Sequence, residues 1–265
     1  MTGGKRRNPT TARTYRRSAQ VYDRVYAWKN YRVEALRIRE LIRRFGPPRA
    51  RTLLDVACGT GSHLEYLSRW YDTTGLDASS EMLRVARKKL PGLRFERGSM
   101  QRFRLAERFD VITCLFSAIG HVRSRRDLVR TLQNFARHLN PGGLVIVEPW
   151  LTPDQYRAGS VHLATSGTPE QPIARMNSSW RRNGRSVMDM HYLVAQHGKV
   201  VHWVERHNLA LFDVPTQLRA FRAAGLIPRH IPSRFTTKRG LYVATLPGAP
   251  AIPRGRRAPQ RRRQR

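Results

Sequence analysis

The run TLLDVACGTG, residues 52–61, constrains this chain more than any other ten residues. Thr52, Leu53, Leu54 and Val56 around Asp55 read as a short strand. The strand breaks into Ala57-Cys58-Gly59-Thr60-Gly61, where three of the five residues carry a methyl group or nothing. A bend so bare lets a ligand approach the backbone, as at the carboxyl end of a parallel strand. Beyond it the pattern alternates. Helix signals over 62–70 lead to a second strand, 72–76, closed by Asp77. Ser79 or Ser80 caps a helix running through Met82, Leu83 and Ala86. Residues 94–97 and 109–116 read as a third and fourth strand, and 127–139 as an amphipathic helix stopped by Asn140-Pro141-Gly142-Gly143. A fifth, fully apolar strand follows at 144–148. Strand and helix at this rhythm predict an α/β, Rossmann-like fold with a mostly parallel seven-stranded sheet between helices.

The flanks complete the outline. Residues 19–45 place Ala35, Leu36, Ile38, Leu41, Ile42 and Phe45 at helical spacing before Gly46-Pro47-Pro48 stops the helix. After Trp150 two extended runs, 173–182 and 185–196, meet at Asn183-Gly184, a hairpin signal. With a third run at 200–212 they predict a small antiparallel β insertion over about 170–212. A helix at 214–224 and strands at 227–230 and 241–246 close a single domain spanning 19–247.

The 265 residues carry a net charge of +32, and only six of the 50 basic residues are Lys. An arginine bias of this kind arises from GC-rich coding without selection for binding. The ends, 1–18 and 248–265, hold many Arg and no acid, bury nothing, and read as disordered basic tails. Nonspecific nucleic-acid affinity through those tails is the expected by-product. No apolar run is long enough to span a bilayer and no signal peptide opens the chain, so the expectation is a cytoplasmic protein with no membrane partner. Cys58 and Cys114 lack the spacing of a disulfide framework or a metal site, and no metal is expected. The sequence is compatible with a homodimer and does not decide the oligomeric state.

The spacing D-x-A-x-G-x-G differs from the G-x-G-x-x-G of nicotinamide enzymes, which seats a pyrophosphate on a helix N-terminus. S-adenosylmethionine (SAM) has no pyrophosphate and suits the looser form. Ala57, Gly59 and Gly61 then form the floor, and Asp77 accepts the ribose hydroxyls. Asp55 bonds the N–H groups of the turn or reaches the SAM amino group through water. Met82, Ser99 and Met100 join the adenosine side, Ser99 and Met100 following the third strand where such folds meet adenine. Leu115-Phe116-Ser117 faces the transferred methyl. The competing readings are a ligand-free βα turn, and core roles for Met100 and Phe116.

LLDVACGTGSHLEYL (53–67), GLDASSEML (75–83), CLFSAIGH (114–121), HLNPGGLVIVEPW (138–150) and RGLYVA (239–244) together resemble the N,N-dimethyltransferases of dTDP-linked amino-deoxysugars in macrolide biosynthesis. The resemblance runs from about Tyr15 to Leu246. It implies that Tyr22, Tyr31, Ala57, Asp77, Met100 and Leu115 hold SAM, that Tyr15 and His121 flank the acceptor, and that Arg239 contacts a nucleotide diphosphate. It also puts Arg175 to Ser179 where the family's insertion faces the sugar. Ser99 stands where the family usually has Asp, Asp77-Ala78 replaces Glu-Leu, and Thr236-Thr237-Lys238 replaces a Gly-rich approach to Arg239.

An amine must be unprotonated to attack the sulfonium methyl. His121 either drains that proton or merely walls and orients the acceptor. Tyr15 is a lid or a tail residue, Arg239 a phosphate grip or a surface arginine, and Glu148 an orienting acid or a strand cap. The leading function is small-molecule N-methylation, with a nucleotide-diphosphate amino-sugar as acceptor. RNA or DNA methylation competes because of the charge, but Phe116-Ser117-Ala118-Ile119 lacks the D/N-P-P-Y-like segment of base-methylating enzymes. A noncatalytic nucleic-acid-binding protein that kept the fold is the third reading, with Ser99 as its support.

Overall fold

In the computed structural model, which describes residues 15–196, 198–232 and 239–248, the apolar runs become the two faces of one sheet. β1 (Thr52–Val56) lies inside it, flanked on one side by β2 (Asp72–Asp77) and β3 (Arg94–Arg97). On the other side stand β4 (Phe109–Cys114) and β5 (Leu139–Val147), all five parallel. β11 (Leu241–Thr245) runs antiparallel to β5, and β10 (Ile227–Ile231) closes that edge, giving the order β10-β11-β5-β4-β1-β2-β3. Strand order reverses between β1 and β4, which opens a crevice above their carboxyl ends.

Period-two alternation builds the core. Leu54, Ile112 and Val145 face one side, against Leu128, Leu132 and Phe135 of α5 (Arg125–Arg137) and Phe221 of α6 (Val214–Ala223). Leu53, Val111 and Ile146 face the other, against Ile38 and Ile42 of α2 (Tyr31–Phe45) and Leu83 and Ala86 of α4 (Ser80–Lys89). No helix among the described residues is long and apolar enough to cross a membrane. Cys58 and Cys114 are buried free thiols.

A second sheet of four antiparallel strands follows β5: β6 (Val161–Thr168), β7 (Gln171–Arg182), β8 (Arg185–Gln196) and β9 (Lys199–Ala210). The expected two-residue turn is present, with Asn183 and Gly184 both at positive φ (50° and 68°). The insertion starts earlier than the expected 170. β6 is an edge strand exposed along most of its length, so it lacks the inward-outward alternation that marks a half-buried strand.

Three further expectations change. The helix sought across 19–45 splits into α1 (Tyr22–Val25) and α2, because the Asn30 side chain leaves the helix to accept from Val33 N–H and caps α2. The helix over 62–70 shrinks to α3 (Leu64–Leu67). Residues 15–18, read as tail, belong to the fold: Ser18 is buried and its N–H donates to Glu205 Oε1 at 3.1 Å. The rest of both basic tails and Thr236-Thr237-Lys238 lie outside the described residues. Val21 and Val25 pack on Ile173, Tyr192, Val194 and Trp203, so the N-terminal segment is wedged between the two sheets.

Asp55 does not bond the turn. It is 2% exposed and accepts from Thr113 Oγ1 on the neighbouring β4 at 2.7 Å. Burial pushes its carboxyl up to about 6, against the Thr113 bond and His63. The folded state therefore holds the Asp55 proton more tightly than the unfolded chain. Stability from this site is present at low pH and lost as pH rises toward 6. We expect Asp55→Asn, which keeps the acceptor for Thr113, to raise Tm by several degrees at pH 8 and little near pH 3.5, below the unfolded carboxyl's range, read by thermal denaturation at both values. A lower Tm at pH 8 would contradict this.

Candidate active site

The turn after β1 is held open by the end of β2. Ala57, Gly59 and Gly61 sit at φ of 60°, 58° and 77°, a region costly for most side chains. Asp77 fixes the bend, Oδ2 accepting from Gly59 N–H at 2.9 Å and Oδ1 from Ser79 N–H at 2.8 Å. Burial raises its carboxyl pKa even against these bonds. Ser79 in turn caps α4 by accepting from Met82 N–H. A Cβ at Gly59 would have nothing within 4 Å, so open space stands over the turn where a ligand would lie. At Gly61 a Cβ would come 3.1 Å from the Leu90 side chain, so that glycine serves packing.

The N-terminal segment clamps this turn. Asp23 Oδ1 accepts from Thr60 Oγ1 (2.5 Å) and Ser62 Oγ (3.1 Å), while Oδ2 accepts from Lys89 Nζ at 2.8 Å. Beneath it the buried Glu34 pairs with Lys29 and with His63 Nε2. Burial opposes the charge, but bonds from His63 and Lys29 hold the Glu34 carboxyl down to about 2. Lys29 Nζ also lies 4.6 Å from the centre of the Phe116 ring.

Two cavities meet here. One, of about 480 Å³, lies over the crevice between β1 and β4. The other, of about 650 Å³, lies between the main sheet and the inner face of the second sheet. Tyr15, Tyr22, Phe116 and His121 border both, and Tyr15 Oη hydrogen-bonds His121 Nε2 at 3.0 Å. The shared wall rests on backbone strain, because Phe116 and Ser117 both take positive φ (50° and 63°). Glu148 holds them by accepting from Phe116 N–H at 2.6 Å. Ser117 Oγ donates to Pro149 O at 2.7 Å and accepts from Arg239 Nη1 at 2.7 Å.

Of the expected cofactor residues, Tyr22, Ala57, Gly59, Asp77, Met82, Ser99, Met100 and Leu115 border the smaller cavity. Asp55, Gly61 and Tyr31 border neither cavity; the Tyr31 ring packs edge-on to His63 and its hydroxyl is buried with no partner among the described residues. Of the acceptor residues, Tyr15, His121, Arg175, Ser179 and Arg239 border the larger cavity. Glu148 is fully buried behind its wall and braces the Phe116 backbone in place of the acceptor. In RMNSS only alternate residues face inward: Arg175, Asn177 and Ser179 line the cavity while Met176 and Ser178 point out. Asn177 was findable from that period of two, but Asp23, Glu34 and His207 left no local signal, because each acts across a distant contact.

His121 and His207 share the larger cavity, ring centres 6.1 Å apart, with Tyr15 against both. Burial, then the Arg185 charge, lowers the His121 pKa to about 4. Burial, then His121 and Arg175, lowers His207 to about 3. Both imidazoles are therefore held in the neutral form at pH 7, which weakens His121 as a sink for an amine proton and leaves it able to hydrogen-bond an acceptor. Because the unfolded chain takes up these protons first, the stability they carry is full above about 6.5 and is lost as pH falls toward 4 and 3. An imidazole-proton NMR titration is expected to show neither ring titrating between pH 8 and 5; a midpoint near 6.5 for His121 would contradict its burial.

A nucleotide-sized cavity at the strand switch point, a ribose-reach acid at the end of β2 and a second cavity sharing its wall define a SAM-dependent methyltransferase fold. A family model described as "Methyltransferase domain" matches residues 53–143. The chain is 39% identical over 235 residues to the dTDP-3-amino-3,6-dideoxy-alpha-D-glucopyranose N,N-dimethyltransferase of Streptomyces fradiae, covering 87% of this chain and 91% of that one. Its structure is similar to that of DesVI from Streptomyces venezuelae, with a TM-score of 0.81, 37% identity and coverage of 87% and 98% of the two chains. SAM-bound CalS10, an amino pentose methyltransferase of Micromonospora echinaspora, is similar at a TM-score of 0.76 and 32% identity, with 85% and 96% covered. The chain belongs to the family of dTDP-amino-deoxysugar N,N-dimethyltransferases.

Proposed function

We propose that this enzyme methylates the amine of a nucleotide-linked amino-deoxysugar, holding SAM over the Gly59 turn and the sugar nucleotide in the larger cavity. The observation that carries the acceptor reading is electrostatic. Among the described residues, the larger cavity is lined by Arg157, Arg175 and Arg239 and by no carboxylate. Such a lining suits a ligand with an anionic diphosphate and disfavours a free cationic amine. Two guanidiniums are already oriented: Arg239 lies 4.3 Å over the Trp150 ring, and Arg175 lies 5.1 Å over Tyr26.

SAM supplies a methyl group already activated by its sulfonium, so the protein's part is alignment and exclusion of water. The residues present fit it: the space over Gly59 admits the adenosyl group, and Asp77 keeps lone pairs free for ribose hydroxyls after accepting from Gly59 and Ser79. Tyr15 and His121, joined by their hydrogen bond, stand on the wall between donor and acceptor and orient the nitrogen lone pair. Among the described residues no acid on this wall stabilises an ammonium, and neighbouring guanidiniums lower an amine's pKa, so the amine sheds its proton to solvent on entering. His121, neutral at pH 7, accepts or donates a hydrogen bond without changing charge. Buried reduced thiols fit a cytoplasmic setting.

The test is transfer of labelled methyl from SAM to a panel of dTDP-amino-deoxysugars, the same sugars without nucleotide, simple amines and RNA. We expect label in the nucleotide-linked sugars, with kcat/KM at least about tenfold above the free sugars, since two desolvated guanidinium–phosphate contacts separate them. Label entering only RNA, or free sugars with a kcat/KM equal to that of the nucleotide sugars, would overturn the acceptor reading.

A further inference from the structure

The larger cavity changes character from floor to lip. At the floor stand Tyr15, His121 and the 4% exposed His207; in the middle wall stand Arg175 and Arg239; at the lip Trp28 is 66% exposed. Isolated exposed hydrophobes on a protein surface are ordinary. Trp28 differs in position and in how it is presented. It sits in the short connection between α1 and α2, and both neighbours in the lining direction are tied down. The Tyr26 ring is packed against Tyr22 (4.6 Å) and Phe116 (5.0 Å), and Lys29 is buried on Glu34. The backbone between them is bonded, Ala27 N–H to Arg24 O and Lys29 N–H to Tyr26 O at 3.0 Å. A braced turn thus holds a flat aromatic face in solvent on the rim of a cavity, next to the Tyr26 ring (6.5 Å) whose other neighbour is the Arg175 guanidinium.

From floor to lip, the cavity offers a place for an amine, then cations, then an unpartnered aromatic plane. A nucleoside diphosphate joined to an amino-sugar presents the same order: amine, diphosphate, base. We infer that Trp28 is the platform on which the base of the acceptor nucleotide stacks. This rests on the acceptor reading above and deepens it, since it makes Trp28 the residue that distinguishes a base-bearing acceptor from a bare sugar phosphate. A base lying on the indole also covers the open side of the cavity, which keeps water from the reacting pair. Stacking reads the π-face alone, so it is tolerant of base identity.

The experiment is calorimetric titration of dTDP, and separately of inorganic pyrophosphate, into the full chain saturated with S-adenosylhomocysteine, for wild type, Trp28→Ala and Trp28→Phe. Trp28→Ala should weaken dTDP binding by about 5- to 100-fold while Trp28→Phe stays close to wild type, as expected for one base–aromatic stack. Pyrophosphate and S-adenosylhomocysteine affinities should not change in either variant. If wild type binds dTDP and Trp28→Ala binds it equally well, the platform is disproved and the acceptor reading stands. If Trp28→Ala loses S-adenosylhomocysteine or pyrophosphate in parallel with dTDP, Trp28 supports the fold instead of the base, and the inference is again overturned. If wild type binds pyrophosphate but gains nothing from the nucleoside of dTDP, the nucleotide acceptor itself falls and the platform with it.

Discussion

The rest of the site depends on one hydrogen bond, from Gly59 N–H to the carboxylate of Asp77. The turn after β1 takes positive φ at Gly59 and Gly61, which glycine adopts freely, and at Ala57, whose strained backbone persists only where the surroundings over-determine it. Asp77 does so from the next strand, and with its other oxygen it also fixes Ser79, which caps α4. The clamp from Asp23 to Thr60, Ser62 and Lys89 secures the far side. One acid therefore ties the turn, the second strand and the following helix into one floor, and it borders the cavity that floor bounds. The N-terminal segment completes the enclosure, bringing Tyr15 and Tyr22 to the cavity walls.

The second cavity uses charge differently. His121 and His207 are held neutral by burial and by nearby guanidiniums, and among the described residues the cavity's arginines meet no carboxylate on the lining. Glu148 is close enough to act on Arg239 but is turned into the wall, where it supports the strained Phe116 backbone. The consequence is a cavity that attracts the anionic end of a ligand and discourages a proton on its amine end. Under the proposed acceptor, deprotonation would follow from the potential of the whole cavity without a dedicated base, with Tyr15 and His121 setting direction.

How much of this was legible in the sequence depends on the range over which each residue acts. The parallel strands, the bare turn, Asp77 and the Asn183-Gly184 hairpin are local signals, and they appear near where the spacing put them, except that β5 starts at Leu139 and takes in the Asn140-Pro141-Gly142-Gly143 stop. Asp55 sits in the same motif yet faces Thr113, because alternation along β1 turns it toward β4, and nothing in one sequence says which strand will be its neighbour. Tyr31, at the start of α2, packs its ring on His63 and borders neither cavity, a long-range contact that its place in the sequence does not announce. β6 carried too little inward face to register as a strand. The Asp23 clamp, the Glu34–His63 contact and the Tyr15–His207 contact join positions 29 to 192 residues apart, where only the assembled fold brings them together. The resemblance to sugar N,N-dimethyltransferases supplied Tyr15, His121 and Arg239, which residue spacing alone did not.

The most direct measurement is a crystal structure of the chain with S-adenosylhomocysteine and a dTDP-amino-deoxysugar bound together. The ribose hydroxyls are predicted to lie on Asp77, with the thioether facing the wall of Tyr15 and His121 and the sugar nitrogen across it in line with the sulfur. Adenosine seated away from Gly59 and Asp77, or a sugar nucleotide bound outside the arginine-lined cavity, would contradict the arrangement of donor and acceptor derived from this fold.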